Sequence, residues 1–169
     1  MRWRVGLLTA SDGGRSGERE DTSALVVREL VEQELQGEIV DYRVVPTEAD
    51  EISAALIEMS EYYRAHLIVT TGGTGLAPDD VTPEATRRVV DREVPGIAEA
   101  MRAAAVRKDR RFMFHRGIAG LRGRTLILNL PGTPEGVHAH LAGVLEDLPA
   151  ALLALNRQER RGAEPVREN

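Results

Sequence analysis

The chain of 169 residues is 42% hydrophobic and 29% charged, the make-up of one globular domain rather than a disordered segment. It contains no cysteine, which excludes disulfides, thiolate metal sites, iron–sulfur clusters and a cysteine nucleophile. Its net charge of −5 argues against general nucleic-acid binding, and no apolar run approaches the roughly 18 residues that a membrane span needs.

In chain order, residues 3–9 form a short apolar run that predicts a buried strand, and the stretch is too short for a signal peptide. Residues 22–36 place Leu25, Val27, Leu30, Val31 and Leu35 on a helical stripe that Gly37 should stop. Residues 38–45 carry β-branched side chains and Tyr42 and end at Pro46, which predicts a second strand. Ile52, Ala55, Leu56, Met59 and Tyr63 share one helix face, and Thr47 with Asp50 outlines a capping box for it. Residues 66–71 predict a third strand. A glycine-rich loop follows, then a helix opened by Thr82 as cap with Pro83 at its first position. Ile97, Ala100, Met101, Ala104 and Ala105 mark another helix. Residues 124–130 predict a strand, Thr133 and Pro134 open a helix to about residue 145, and a last helix runs from Pro149 to about Arg160. Strands alternating with helices predict a three-layer α/β fold, a mainly parallel sheet with helices on both faces. Residues 1–160 are expected to form a single domain and residues 161–169 a polar tail.

Right-handed crossovers bring the loops after the strands to one sheet edge, where ligands of such sheets bind. The first of these loops holds Ser11 and Asp12, then Gly13, Gly14, Gly17 and Asp21. Its ordinary reading is a turn in which Ser or Asp bonds its own backbone. The second is Gly72-Gly73-Thr74-Gly75. Its glycines permit positive φ, and consecutive N–H groups in such a turn make a concave anion site. It is a phosphate cradle or a tight turn. It is neither a Walker A loop nor a dinucleotide fingerprint, since no Gly-Lys-Ser/Thr follows and Pro78 stands where the third glycine would be. Asp79 and Asp80 come next. A carboxylate beside phosphates is tolerated when Mg²⁺ lies between them; alternatively these acids favour the positive end of the helix at Thr82. In the third loop Asn129 offers donors and an acceptor, and the helix at Thr133 offers its N-terminus to an anion, unless the segment is only a strand-to-helix turn.

Residues 101–124 hold eight basic side chains and one acid, Asp109. They read as a patch that focuses an anionic ligand or as a solvated face. His138 and His140 are two apart on a helix and face different ways, His66 starts a strand, and His115 reads as an exposed histidine or a phosphate contact.

Together these stretches resemble the MoaB/Mog family of molybdenum-cofactor biosynthesis proteins. The resemblance rests on Ser11-Asp12 with Gly17 and Asp21, and on Thr70-Thr71-Gly72-Gly73-Thr74-Gly75 with Asp80-Val81-Thr82-Pro83-Glu84-Ala85. It extends to Pro95-Gly96 with Glu99, Met101 and Arg102, and to Ala119-Gly120-Leu121-Arg122-Gly123 running into Asn129-Leu130-Pro131-Gly132-Thr133-Pro134. It implies a molybdopterin-binding-like α/β domain, cytoplasmic, assembled as a trimer or hexamer. It also implies an adenylyltransferase that uses ATP and Mg²⁺ to convert molybdopterin to adenylyl-molybdopterin and pyrophosphate. By position, Asp80 would be the catalytic and metal-holding acid. Gly72, Gly73, Thr74 and Gly75 with Asn129, Leu130, Pro131, Gly132 and Thr133 would form the nucleotide and pterin phosphate sites. Ser11 and Asp12 would line the pocket edge, with Arg116 as a substrate contact and the molybdate-inserting enzyme of the same pathway as a partner. Three positions depart from the family pattern. Thr47 and Glu48 follow Pro46 where adenylyltransferase members often carry an acid, so Glu48 substitutes or a metal contact is missing. His115 stands where a serine is common, and Asp79 where a basic residue is frequent. The alternatives are a carrier that binds molybdopterin without catalysis, favoured by Thr47, and a nucleotide hydrolase of the competence-damage type.

Overall fold

The computed structural model describes residues 2–13 and 21–157. Strands β1 (Trp3–Ala10), β2 (Gly37–Val45), β3 (Leu67–Thr71), β4 (Arg92–Glu93), β5 (Ala119–Arg122) and β6 (Thr125–Leu130) form one sheet in the order β2-β1-β3-β6-β5-β4. The pairs β1–β2, β1–β3 and β3–β6 are parallel, whereas β5 runs antiparallel to both of its neighbours. The helices are α1 (Thr22–Gln33), α2 (Ala49–Glu61), α3 (Thr82–Arg87), α4 (Pro95–Val106), α5 (Pro134–Leu141) and α6 (Leu148–Leu155), with a 3₁₀ turn at Arg110–Phe114.

Strand side chains alternate between two cores, as a period of two requires. Val5, Leu7, Val69, Leu126, Leu128 and Leu130 join Val27 and Val31 of α1, Met101 of α4, Val137 of α5 and Leu152 of α6 on one face. Leu8, Ile68 and Ile127 join Ile52, Leu56 and Met59 of α2 and Ala85 of α3 on the other. Each fully buried Leu or Ile contributes about 1.5–3 kcal/mol, so truncating Leu56 inside this packing costs about 2–5 kcal/mol. The three-layer α/β architecture is the one expected. Because α1 lies on one face and α2 on the other, the chain reverses direction between β1 and β3, which opens a crevice beyond their carboxyl ends.

Four local expectations are corrected. The sequence pattern does not predict β4 or β5: β5 and β6 form a hairpin whose two-residue loop puts Gly123 at φ 55°, as a II′ turn needs. Helix α1 ends at Gln33, and the chain leaves it through Gln36 in the left-handed region, one residue before the expected stop at Gly37. Glu48, not Thr47, is the N-cap residue of α2, and its side chain makes no capping bond. Thr82 is the first residue of α3 rather than its cap. The expected end of the last helix near Arg160, Gly14, Gly17 and the tail 161–169 lie outside the described residues. Strand β2 is one sheet edge; along it Arg43 reaches Asp41 at 2.7 Å and Glu58 of α2 at 2.8 Å.

Candidate functional site

The carboxyl ends of β1, β3 and β6 bring the three loops together. Gly72 and Gly73 take φ of 86° and 68°, so the chain turns sharply as it leaves β3. A Cβ on Gly72 would stand 2.5 Å from the Ala10 carbonyl oxygen, and one on Gly73 would collide with the Thr82 hydroxyl. Only glycine fits both places. Thr82 closes the turn: its hydroxyl donates to the Gly72 carbonyl at 2.9 Å and its amide to the Gly73 carbonyl at 3.0 Å. No acceptor among the described residues takes the amides of Gly73, Thr74 or Gly75.

The third loop lies directly against the second. Gly72 N–H donates to the Leu130 carbonyl at 3.1 Å, and a Cβ on Gly132 would be 3.2 Å from Gly72 Cα. The Ser23 hydroxyl of α1 donates to the Gly132 carbonyl at 2.8 Å, which adds a helix N-terminus to the same rim. Thr133 caps α5, its hydroxyl accepting from Gly136 N–H at 3.1 Å. At the β1 end, Thr9 is hydrogen-bonded to Thr71 across the strand pair and donates to Asp21, which caps α1 and also accepts from Tyr42. Burial first, and then the Asp21 carboxylate, push the Tyr42 hydroxyl up to about 12, so it stays a donor. Sequence reasoning missed this Thr9–Thr71–Asp21–Tyr42 group. Facing threonines at two strand ends were its signal.

Asp12 does not serve a local turn through its carboxylate alone: it accepts from Thr47 N–H at 3.1 Å and from the Thr47 hydroxyl at 2.7 Å. Thr47 is thus used to hold Asp12, and Ser11 N–H pairs with the Val45 carbonyl at 2.9 Å. Asp80, half-buried, sits beside the glycine loop: its Oδ2 would be 2.8 Å from a Cβ on Gly75 and accepts from Ala77 N–H at 3.0 Å. Asp79 is exposed.

Arg116 reaches the glycine loop from residues beyond α4. Its guanidinium donates to the Gly75 carbonyl at 2.8 Å, the Asp80 carbonyl at 2.7 Å and Glu84 at 2.5 Å. It fixes the loop that presents Asp80, and its hydrogen bond lowers the Glu84 carboxyl below the usual range. The basic segment is not one patch. Arg102 donates inward to the Gly117 carbonyl, Arg111 pairs with Asp109, and Arg122 belongs to the β5–β6 hairpin at the opposite sheet edge.

His115 is also corrected, from exposed to 7% exposed. Its Nδ1 shares a hydrogen bond of 2.8 Å with the Thr74 hydroxyl, and its ring stacks edge-on against buried His140 with centroids 4.4 Å apart. Burial first, then the nearby His140 and Arg102, lower its pKa to about 3, so it is neutral. Asn129 lies in the sheet interior. It is fully buried, its Nδ2 donates to the Thr70 and Thr86 hydroxyls at 3.0 Å each, and its Oδ1 accepts from Ile118 N–H at 3.1 Å. These bonds tie β3, α3 and the approach to β5 together. Leu130 is likewise buried and offers the rim only its backbone.

A parallel sheet with a reversal between β1 and β3, a glycine turn and two helix N-termini at one rim defines an α/β domain of the class whose ligands lie at the carboxyl edge. Residues 6–150 match the family model described as a probable molybdopterin binding domain, and the chain belongs to that family. It is 38% identical over 146 residues to the molybdopterin adenylyltransferase of Helicobacter pylori strain J99, covering 86% of this chain and 83% of that one. It is 37% identical over 142 residues to the protein of the same name from Escherichia coli K12, covering 83% and 73%. The crystal structure of the molybdopterin biosynthesis enzyme MoaB from Thermus thermophilus superposes with a TM-score of 0.86 at 49% identity, covering 92% of this chain and 97% of that one.

Proposed function

We propose that this chain is a molybdopterin adenylyltransferase of molybdenum-cofactor biosynthesis. The terminal phosphate of molybdopterin attacks the α-phosphorus of ATP. A new phosphorus–oxygen bond forms, the bond to the bridging oxygen breaks, and pyrophosphate leaves with that oxygen. The observation that carries this reading is the contact of the glycine loop with the Pro131-Gly132 turn, Gly72 N–H to Leu130 carbonyl, which sets two anion-binding backbones side by side.

Both reactants are anions, so what the protein must supply is alignment and opposite charge. The amides of Gly73, Thr74 and Gly75 would cradle phosphate oxygens, and the first turns of α1 and α5 would add their positive ends. Arg116 holds the loop of Asp80 in place from behind. The nucleophile is already ionised, so no general base is needed, which agrees with a neutral His115 engaged with Thr74.

Among the described residues no three His, Cys, Asp or Glu are grouped to hold a metal ion alone. Mg²⁺ does not require such a group, because one or two carboxylates, substrate phosphates and water complete its shell. Asp80 beside Gly75 suits that role, and the bound ion would neutralise phosphate charge. Arg116, Asn129 and Leu130 act in this reading as supports rather than ligands, and Ser11 and Asp12 line the edge. A homo-oligomer, trimer or hexamer, fits the exposed Leu76, Met113 and Phe114. No helix among the described residues is long and apolar enough to cross a membrane; cytoplasmic location and docking to the molybdate-inserting enzyme complete the proposal.

Incubation with molybdopterin, Mg²⁺ and labelled ATP should release pyrophosphate only when pterin is present. The second reading, a carrier, is favoured by Thr47, whose hydroxyl is bound to Asp12 at the place where an acid is expected. It predicts pterin binding without pyrophosphate. Nucleotide turnover without pterin would instead mark a hydrolase.

A further inference from the structure

The far end of the sheet holds a cavity of about 710 Å³. It lies between the end of α2, the starts of β1, β3 and β6, the β5–β6 hairpin and the residue after α6. One strand separates it from the glycine loop: His66 precedes β3 and Gly72 follows it, about 20 Å away at the rise of an extended strand. The volume is in the range of small-molecule sites.

Its lining is cationic in a chain of net charge −5. Arg4, Arg64, Arg122 and Arg124 face two acids, Glu61 and Asp91. Both acids are engaged: Glu61 with Arg122, and Asp91 with the Gly123 amide at 2.7 Å. Arg4 is braced by the Tyr63 carbonyl at 2.7 Å and Arg122 by the Val89 carbonyl at 2.8 Å. A carbonyl fixes a guanidinium head without cancelling its charge. Among the described residues no acid pairs with Arg4 or Arg64. Arg64 holds φ 50°, a region glycine or asparagine ordinarily occupies. Tyr62, 77% exposed, stands at the rim with its ring edge-on to Tyr63, centroids 5.0 Å apart. An arginine cluster selects phosphate, and an exposed aromatic face offers a platform for a planar ring.

We propose that this cavity, lined by Arg4, Arg64 and the exposed Tyr62, is a second binding site, for a small phosphate monoester carrying a planar ring, separate from the glycine-loop site. The molecule contains its own reporter. Trp3 is the only tryptophan, and it packs edge-on against the cavity residue His66 with centroids 5.4 Å apart.

The experiment titrates the full-length protein with AMP, adenosine and inorganic phosphate while recording Trp3 emission, excited beyond the adenine band. AMP is expected to give a saturable change, with adenosine and phosphate each weaker. Arg64→Gly, which suits the local backbone and so retains the fold, should weaken AMP roughly tenfold. Tyr62→Ala should weaken AMP several-fold and leave phosphate unchanged. Asp80→Ala, at the other rim, should leave the Trp3 titration as it is. The proposal is overturned by no saturable response up to about 5 mM AMP, by a midpoint unmoved in Arg64→Gly, by adenosine binding as well as AMP, or by loss of the response in Asp80→Ala.

Discussion

The two ends of this one sheet are made of different materials. At the carboxyl ends of β1, β3 and β6 the rim is mostly backbone, glycine amides and helix N-termini, with threonine hydroxyls and carboxylates among them. At the amino ends the rim is side chain: arginines and tyrosines around an open cavity. Parallel topology explains the contrast. Crossover helices point their positive ends at the carboxyl edge, so amides alone can hold an anion there, and a carboxylate can be spared to hold a cation. At the opposite edge the same helices present their negative ends. An anion is welcome there only where guanidinium groups outweigh the carbonyls. If both proposals hold, a single fold offers anion sites of two kinds, one that depends on glycine geometry and one that depends on charge.

The largest test of this contrast is Asp80→Ala. It should lower adenylyl transfer on the order of 10²–10³-fold with an unchanged circular dichroism spectrum, and near-normal turnover would remove Asp80 from the chemistry. Gly72→Ala strikes the same rim through its backbone. With φ 86° and the Ala10 carbonyl in the way, it should cost about 2–4 kcal/mol in urea unfolding. Asn129→Ala strips partners from two hydroxyls and an amide in the core, for about 2–3 kcal/mol, and a neutral result would mean water replaces it. His115 gives a pH signature. The unfolded chain takes its proton near 6.5 and the folded chain only near 3, so stability falls as pH drops below 6.5. His115→Gln should flatten that slope, and an unchanged slope would assign it to other groups. The smallest effect belongs to the far edge: Arg64→Gly should raise stability by about 1 kcal/mol, by relieving the left-handed backbone, without touching turnover, whereas a fall would show that Arg64 packs structurally.

Where a pattern was local, the sequence carried it. The short apolar runs of β1 and β3, the 3.6-residue stripe of α2 and the proline at the start of α5 all stand where the sequence put them. The positions of Gly72, Gly73 and Gly132 at one rim followed from the topology. What failed was decided at a distance. His115 looked exposed because its burial comes from Thr74 and His140, far along the chain. Asn129 could have been read better: in β6, Leu126, Leu128 and Leu130 face one core, so Asn129 must share the other face with Ile127. The hairpin of β5 and β6 was hidden by its charge, since Arg122, Gly123 and Arg124 looked like part of a basic surface rather than a turn.

The ragged polarity of β2 has a consequence for handling the protein. As an outer strand with neighbours on one side only, it offers spare amides and carbonyls to any extended chain that drifts alongside. Glu38, Asp41 and Arg43 make that approach costly by forcing ionised groups out of water, so concentrated samples should resist sheet-to-sheet clumping. Replacing the three with threonines would invite it.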